Sequence, residues 1–131
     1  MADELTYVAN GPVDNSELNA LFADAWLEHE ERDFSRVLSR SLGYVCARDG
    51  ADLVGFVNVA WDGGVHAFLL DTTVRSDMQR RGIGSRLVSE AETLAREAGA
   101  GWLHVDYEPR LGEFYTGCGF RKCEAGLIKL S

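Results

Sequence analysis

Apolar positions change their spacing several times along this chain. The run LTYVA (5–9) is rich in β-formers and is stopped by NGP, which predicts a short strand. From Asp14 the spacing becomes helical, with Leu18, Leu21, Phe22, Ala25 and Trp26 recurring at three and four. Asp14 with Glu17 three residues later has the form of a capping box, in which each side chain satisfies the other residue's orphan N–H. A second helix is predicted from about Asp33, with Phe34, Val37 and Leu38 facing inward. From Gly43 the period falls to two. GYVCAR, LVGFVNVAW and VHAFLLDTTV are β-rich runs separated by DG and DGG, the pattern of an antiparallel meander.

Helical spacing returns at Ile83, Leu87, Val88, Ala91, Leu94, Ala95 and Ala98, with Gly99 as a stop. WLHVDY (102–107) then reads as a strand, LGEFYTG as a short helix after Pro109, and FRKCE and GLIKL as a terminal hairpin. Strand, helix and strand over residues 65–107 favour a right-handed parallel crossover. The pattern as a whole predicts one α/β domain over residues 1–131. Its sheet is expected to be mixed and mostly antiparallel, of six or seven strands, with helices on both faces.

Composition narrows the class. With 131 residues, 46% of them hydrophobic, the chain can build one core and is too short for two ordinary domains. No stretch approaches the roughly 20 apolar residues of a membrane span, and the N-terminus lacks a leader pattern, so a cytoplasmic protein without a membrane partner is expected. Cys46, Cys118 and Cys123 are odd in number and lack metal-motif spacing, which predicts free thiols and no metal. A formal charge of −8 argues against nucleic-acid binding. The charge is uneven. Residues 1–33 hold Asp3, Glu4, Asp14, Glu17, Asp24, Glu28, Glu30, Glu31 and Asp33 against Arg32 alone, whereas residues 75–86 hold four arginines against Asp77.

The arginine-rich stretch is QRRGIGSR (79–86), where a strand gives way to a helix. Glycines there let backbone N–H groups approach a bound group, and the helix N-terminus carries roughly half a positive charge, so the stretch has the character of an anion site. It matches neither a Walker loop nor a dinucleotide fingerprint.

Residues 74–84, VRSDMQRRGIG, resemble the acetyl-coenzyme A signature of the GNAT superfamily of N-acetyltransferases, V-x-P-x-x-Q/R-x-x-G-x-G/A. Ser76 stands where that pattern often has proline, a minor loss of turn rigidity. EFYTGCGF (113–120) resembles the family's F-Y-x-x-x-G-F. The resemblance extends to the element order of nearly the whole chain and implies acetyl-CoA-dependent transfer to an amine. It implies that backbone groups of Gln79, Arg80, Arg81, Gly82, Ile83, Gly84 and Ser85 cradle the pyrophosphate, with Gly82 and Gly84 present because a Cβ would block that approach. Side chains of Arg80, Arg81 and Arg86 are then candidates to reach phosphates. Thr72, Thr73 and Val74 would pair with the pantetheine arm, and Phe114 and Glu108 would border it.

By the same resemblance Tyr115 is the candidate general acid for the leaving thiolate. Cys118 reads as a small buried residue and not as a nucleophile. Candidates for the base are Asp71 and His66, Asp106 and His104, and Glu28, His29, Glu30 and Glu31. Asp71 stands first, because a carboxylate inside an apolar strand is costly unless paired or used. Glu108 and Leu111 depart from the family's usual Asn and Ala, and an ionised carboxylate cannot donate the hydrogen bond an asparagine would. The acceptor is expected to be a small-molecule or protein amine, with a lean to a cationic one from the acidic N-terminal third. Similar proteins often pair as homodimers. A non-catalytic acyl-CoA-binding regulatory module is the second reading, and a plain interaction domain the third.

Overall fold

In the computed structural model, which describes residues 5–131, each β-rich run pairs with its neighbour in sequence. β1 (Leu5–Ala9), β2 (Gly43–Asp49), β3 (Asp52–Trp61) and β4 (His66–Val74) form an antiparallel ladder in chain order. β5 (Trp102–His104) joins β4 in parallel, after the long helix between them. The sheet is mixed, as expected, but has five strands among the described residues, fewer than the six or seven expected. Two shortfalls explain this. WLHVDY is ladder-paired only at its first three residues, and residues 121–131 form no hairpin and lie exposed.

Alternation sorts the strands' side chains onto two faces. Val45, Ala47, Val54, Val57, Val59, Ala67 and Leu69 meet Ile83, Leu87, Val88, Ala91 and Ala95 of α3 (Ile83–Glu97), forming the larger core. Gly55 leaves room for that helix, since a Cβ there would lie 3.0 Å from Leu87 and 3.3 Å from Ile83. On the opposite face Cys46, Leu53 and Phe56 meet Leu18, Leu21 and Phe22 of α1 (Asn15–Ala25) and Phe34, which precedes α2 (Ser35–Ser39). Helices therefore cover both faces. The Asp14–Glu17 capping box forms with both hydrogen bonds, and Gly99 stops α3 at φ +92°. Val37, expected to face inward, is 43% exposed, because α2 is a little over one turn long and turns only Leu38 onto the core.

Polar side chains of α1 hold the segment between the two helices. Asn19 donates to the Arg32 carbonyl and accepts from the Arg32 N–H, and its Oδ1 also meets His29 Nε2 at 2.8 Å. Asn15 bonds the Phe34 N–H and the Asp33 carboxylate. A last short helix, α4 (Gly112–Gly117), follows a single 3-10 turn at Pro109–Leu111.

Candidate active site

The site is built on β4, and the register of the sheet explains where. β5 pairs only with residues 66–68 of that strand. Beyond Phe68 the two parallel strands part, and the β5-side edge of residues 69–74 has no strand partner among the described residues. Such an edge presents main-chain donors and acceptors to any extended group laid along it.

Within this free stretch β4 bulges. Phe56 pairs with Thr73 and Asn58 with Leu70, so Asp71 and Thr72 together oppose the single residue Val57. Asp71 takes φ +60°, the left-handed region that aspartate and asparagine tolerate better than most side chains. Buried Thr73 fastens the bulge, its Oγ1 donating to the Asp71 carbonyl at 2.9 Å. The expectation that Asp71 lies inside an apolar strand is therefore corrected, because the bulge turns the residue out to solvent. Protein atoms still crowd its carboxyl, as in the wall of a cleft. Desolvation raises its pKa above the ordinary carboxylate value, and the Arg32 guanidinium opposes part of that rise.

After β4 the chain makes one 3-10 turn, Ser76–Met78. Asp24 of α1 accepts from both the Ser76 N–H, at 2.7 Å, and the Ser76 hydroxyl, at 2.9 Å. Two charge-assisted bonds thus tie down the turn where the family pattern often has proline, in keeping with a minor loss of rigidity. Gln79 donates back to the Val74 carbonyl at 3.2 Å. Arg80 and Gly82 then both turn left-handed, at φ +66° and +83°, and lead into α3.

No side chain caps α3. The N–H groups of its first turn, Ile83 to Ser85, have no partner within the helix and gather at the positive end of its dipole, a geometry suited to phosphate. The two glycines serve this turn differently from the sequence expectation. A Cβ on Gly82 would meet nothing within 4 Å, so its requirement is the left-handed backbone. A Cβ on Gly84 would lie 3.2 and 3.3 Å from the Phe114 ring and 3.8 Å from Val74. Gly84 lets α4 close onto the loop. Among the arginines, Arg86 pairs with Glu90 at 2.8 Å and lies over the Tyr7 ring at 4.5 Å, so it is held along the helix and not at its tip. Arg80 and Arg81 lie exposed at the loop.

Tyr115 of α4 is 7% exposed. Its ring stacks on Tyr107 at 5.0 Å and meets Phe114 and Phe120 edge-on at 4.8 and 5.7 Å. Burial raises the phenol pKa above its ordinary value. A hydrogen bond with the Thr72 side chain opposes this, and the nearby Cys118 and Asp106 add to the rise. Core packing and proton donation are therefore compatible in one residue, with the ring in the core and the hydroxyl at the bulge. Burial likewise pushes the Cys118 thiol pKa above its ordinary value and so favours the thiol, while a hydrogen bond from Ser85 offsets part of the rise.

The other candidates separate. His66 and His104 pair with each other at 2.9 Å on β4 and β5, five residues or about 16 Å of strand from the bulge at Asp71. His29 turns inward, stacking on Phe34 with ring centroids 6.4 Å apart. Glu108 pairs with Arg110 at 2.9 Å and its side chain is 69% exposed. Four of the nine acids in the N-terminal third have structural partners. Asp14 caps α1, Glu17 binds Arg48 at 2.6 Å, Asp24 holds Ser76, and Asp33 bonds the Ser35 N–H and hydroxyl. Asp3 and Glu4 lie outside the described residues. Glu28, Glu30 and Glu31 are exposed beside the segment that carries Arg32.

Sequence reasoning missed the bulge, the Thr73 clamp and the Asp24–Ser76 link. No sequence signal marked the first, since the two β-branched threonines after Asp71 favour regular strand. Among the described residues no group of three or more His, Cys, Asp or Glu side chains is arranged to hold a metal ion, and no helix is long and apolar enough to cross a membrane.

A free strand edge at a bulge, an uncapped helix N-terminus after it and a buried tyrosine bonded to the Thr72 side chain lie in one region of the chain. Residues 14–120 match the family model described as the acetyltransferase (GNAT) family, and the chain belongs to that family. A GNAT family acetyltransferase from Streptococcus pneumoniae is 27% identical, with a TM-score of 0.82 over 97% of this chain and 98% of that one. A protein from Bacillus halodurans titled a transcriptional regulator is 22% identical, with a TM-score of 0.79 over 96% and 99%. The aminoglycoside N-acetyltransferase AAC(6')-Iy, solved in complex with CoA, is 14% identical, with a TM-score of 0.76 over 98% and 95%. The last two likenesses show a shared fold. No curated protein matches the sequence significantly.

Proposed function

We propose that this protein transfers an acetyl group from acetyl-CoA to an amine. The observation that carries the reading is the continuity of three features. The free edge of β4 at the Asp71–Thr72 bulge faces Tyr115, and the strand runs directly into the uncapped N-terminus of α3. Acetyl-CoA, as the acyl-donor substrate, supplies an activated thioester and two linked phosphates. The first-turn N–H groups of α3, with Arg80 and Arg81, would hold the phosphates. Main-chain groups of Thr72 to Val74 would align the arm between phosphate and thioester.

The chain's own residues then have two proton tasks. Asp71, with its pKa raised by the protein atoms around its carboxyl, takes the proton that the amine gives up as its nitrogen bonds the acetyl carbon. Tyr115, protonated through neutral pH, gives a proton to the sulfur as the carbon–sulfur bond breaks. Glu28, Glu30 and Glu31 stand beside Arg32, which interacts with Asp71, so a cationic amine is the acceptor class that this border favours.

The test is thiol release from acetyl-CoA by the purified full chain over a panel of polyamines, aminoglycosides and lysine-containing peptides. At least one amine is expected to give turnover, and Tyr115→Phe should lower kcat about 10–100-fold with CoA affinity retained. Unchanged turnover in that variant would remove Tyr115 from the acid role. Tight CoA binding by calorimetry with no thiol release over the whole panel would favour a non-catalytic acyl-CoA-binding module.

A further inference from the structure

His66 and His104 take no part in the transfer chemistry and lie where β4 and β5 are still paired. His66 opposes Trp102 and Phe68 opposes His104, so the two histidines are diagonal neighbours on one face of the sheet. Their nearest nitrogens, His66 Nδ1 and His104 Nε2, stand 2.9 Å apart, with ring centroids at 5.0 Å and planes inclined by 53°. Each histidine is steered by a neighbour. Phe68 stacks on the His104 ring at 4.6 Å, and the Asp62 carboxylate accepts from the His66 main-chain N–H at 3.3 Å. His104 is exposed and His66 half-buried, so solvent and its solutes reach the pair.

Neutral imidazole nitrogens are the side-chain donors that late divalent transition metals take most readily. The spacing of this pair selects among coordination geometries. Two ligands at right angles on bonds of about 2.05 Å are about 2.9 Å apart, whereas a tetrahedral angle would put them about 3.3 Å apart. The observed 2.9 Å is therefore the edge of a square-planar or octahedral shell and is short for a tetrahedral one. The two nitrogens now face each other across a hydrogen bond. Each lone pair must swing outward by about 45° to meet at one ion, a rotation that the open face of the sheet allows. The ring that donates passes its proton, through water, to its own outer nitrogen, so the neutral pair neither gains nor loses a proton. Asp62, whose carboxylate interacts with His66, adds a negative field that suits a cation.

We propose that His66 Nδ1 and His104 Nε2 chelate one divalent ion of the nickel and copper class, in adjacent positions of a square-planar or octahedral shell completed by water. The ion clips β5, which the ladder holds at three residues only, to β4 just before the two strands part. With two protein ligands it is exchangeable. Cysteine spacing could not have shown such a site, since 38 positions separate the two histidines.

Nickel is the probe, because copper would oxidise the exposed Cys123 thiol. Calorimetry of the untagged full chain, stripped with a chelator, is expected to show one Ni²⁺ per chain, bound at least about fivefold more tightly than Zn²⁺. At a hundred times its dissociation constant, Ni²⁺ should raise Tm by about 10 °C. His104→Ala should weaken Ni²⁺ binding at least about tenfold and remove the shift in Tm. No saturable binding, zinc bound as tightly as nickel, or undiminished binding by His104→Ala would each overturn the proposal. Should that variant misfold, the amide NMR spectrum of the wild type decides. Ni²⁺ is expected to perturb residues 66–68 and 102–104 first, and perturbation centred on His29, Cys123 or the N-terminus would refute the site.

Discussion

Gly82 and Gly84 lie two residues apart at the start of α3 and should respond to alanine for different reasons and by different amounts. At Gly82 the added methyl has open space, so the whole cost is the left-handed backbone, φ +83°. An L-residue there loses about 1–2 kcal/mol. For 131 residues the unfolding entropy near 60 °C is about 0.28 kcal/mol/K, so Gly82→Ala is expected to lower Tm by about 4–7 °C. At Gly84 the backbone is helical and the added Cβ meets Phe114 carbons at 3.2 and 3.3 Å. The ring must yield by a few tenths of an ångström, while alanine recovers up to about 1 kcal/mol of helix preference, so Tm should stay within about 3 °C of the parent. The displaced ring belongs to α4, which carries Tyr115. Gly84→Ala should therefore weaken CoA binding by calorimetry more than its small Tm change suggests. A Gly82→Ala protein melting within about 1 °C of the parent, or a Gly84→Ala protein melting lower than Gly82→Ala, would refute these separate reasons.

Two further substitutions probe the walls of the groove. Because the Asp71 pKa is raised on folding, its contribution to stability is present below about pH 4 and is lost as pH rises through the folded value. Asp71→Asn stays neutral and tolerates φ +60°, so it should melt above the parent at neutral pH and level with it at about pH 3, in paired thermal scans. Asp24→Ala removes both bonds to Ser76 at an exposed position and should cost about 5–30-fold in CoA affinity with the far-UV spectrum unchanged, as read by calorimetry.

Elements that depend on local patterning were readable in the chain. The capping box, the apolar stripe of α3, its glycine stop and the two turns of the meander need only near neighbours, and each formed where the residues placed it. The site was readable as a set of residues but not as an arrangement. Asp71 and Tyr115 are 44 positions apart, and only the register of β3 on β4 and the packing of Phe114 on Gly84 bring their surroundings together. The acidic N-terminal third was the least legible feature. A carboxylate that binds Arg48 or holds Ser76 has the same letter as one that faces solvent, and partners 31 or 52 residues away cannot be read from charge counts. The terminal hairpin failed for the converse reason, since its apolar pattern favours strands locally but residues 121–131 find no strand to pair with among the described residues.

The bulge in β4 also bears on how the strand tolerates insertions and deletions. Residues 67 and 69 before it face α3, and Val74 after it meets the same core, although simple alternation from Leu69 would have put Thr73 there instead. One surplus residue at Asp71–Thr72 produces that phase change. Losing either residue would restore a regular ladder opposite Val57, leave the pairing on both sides in place and remove the one irregularity that turns a carboxylate and main chain outward. The shorter strand would make the better sheet, and the residue that spoils its regularity is the one on which the groove depends.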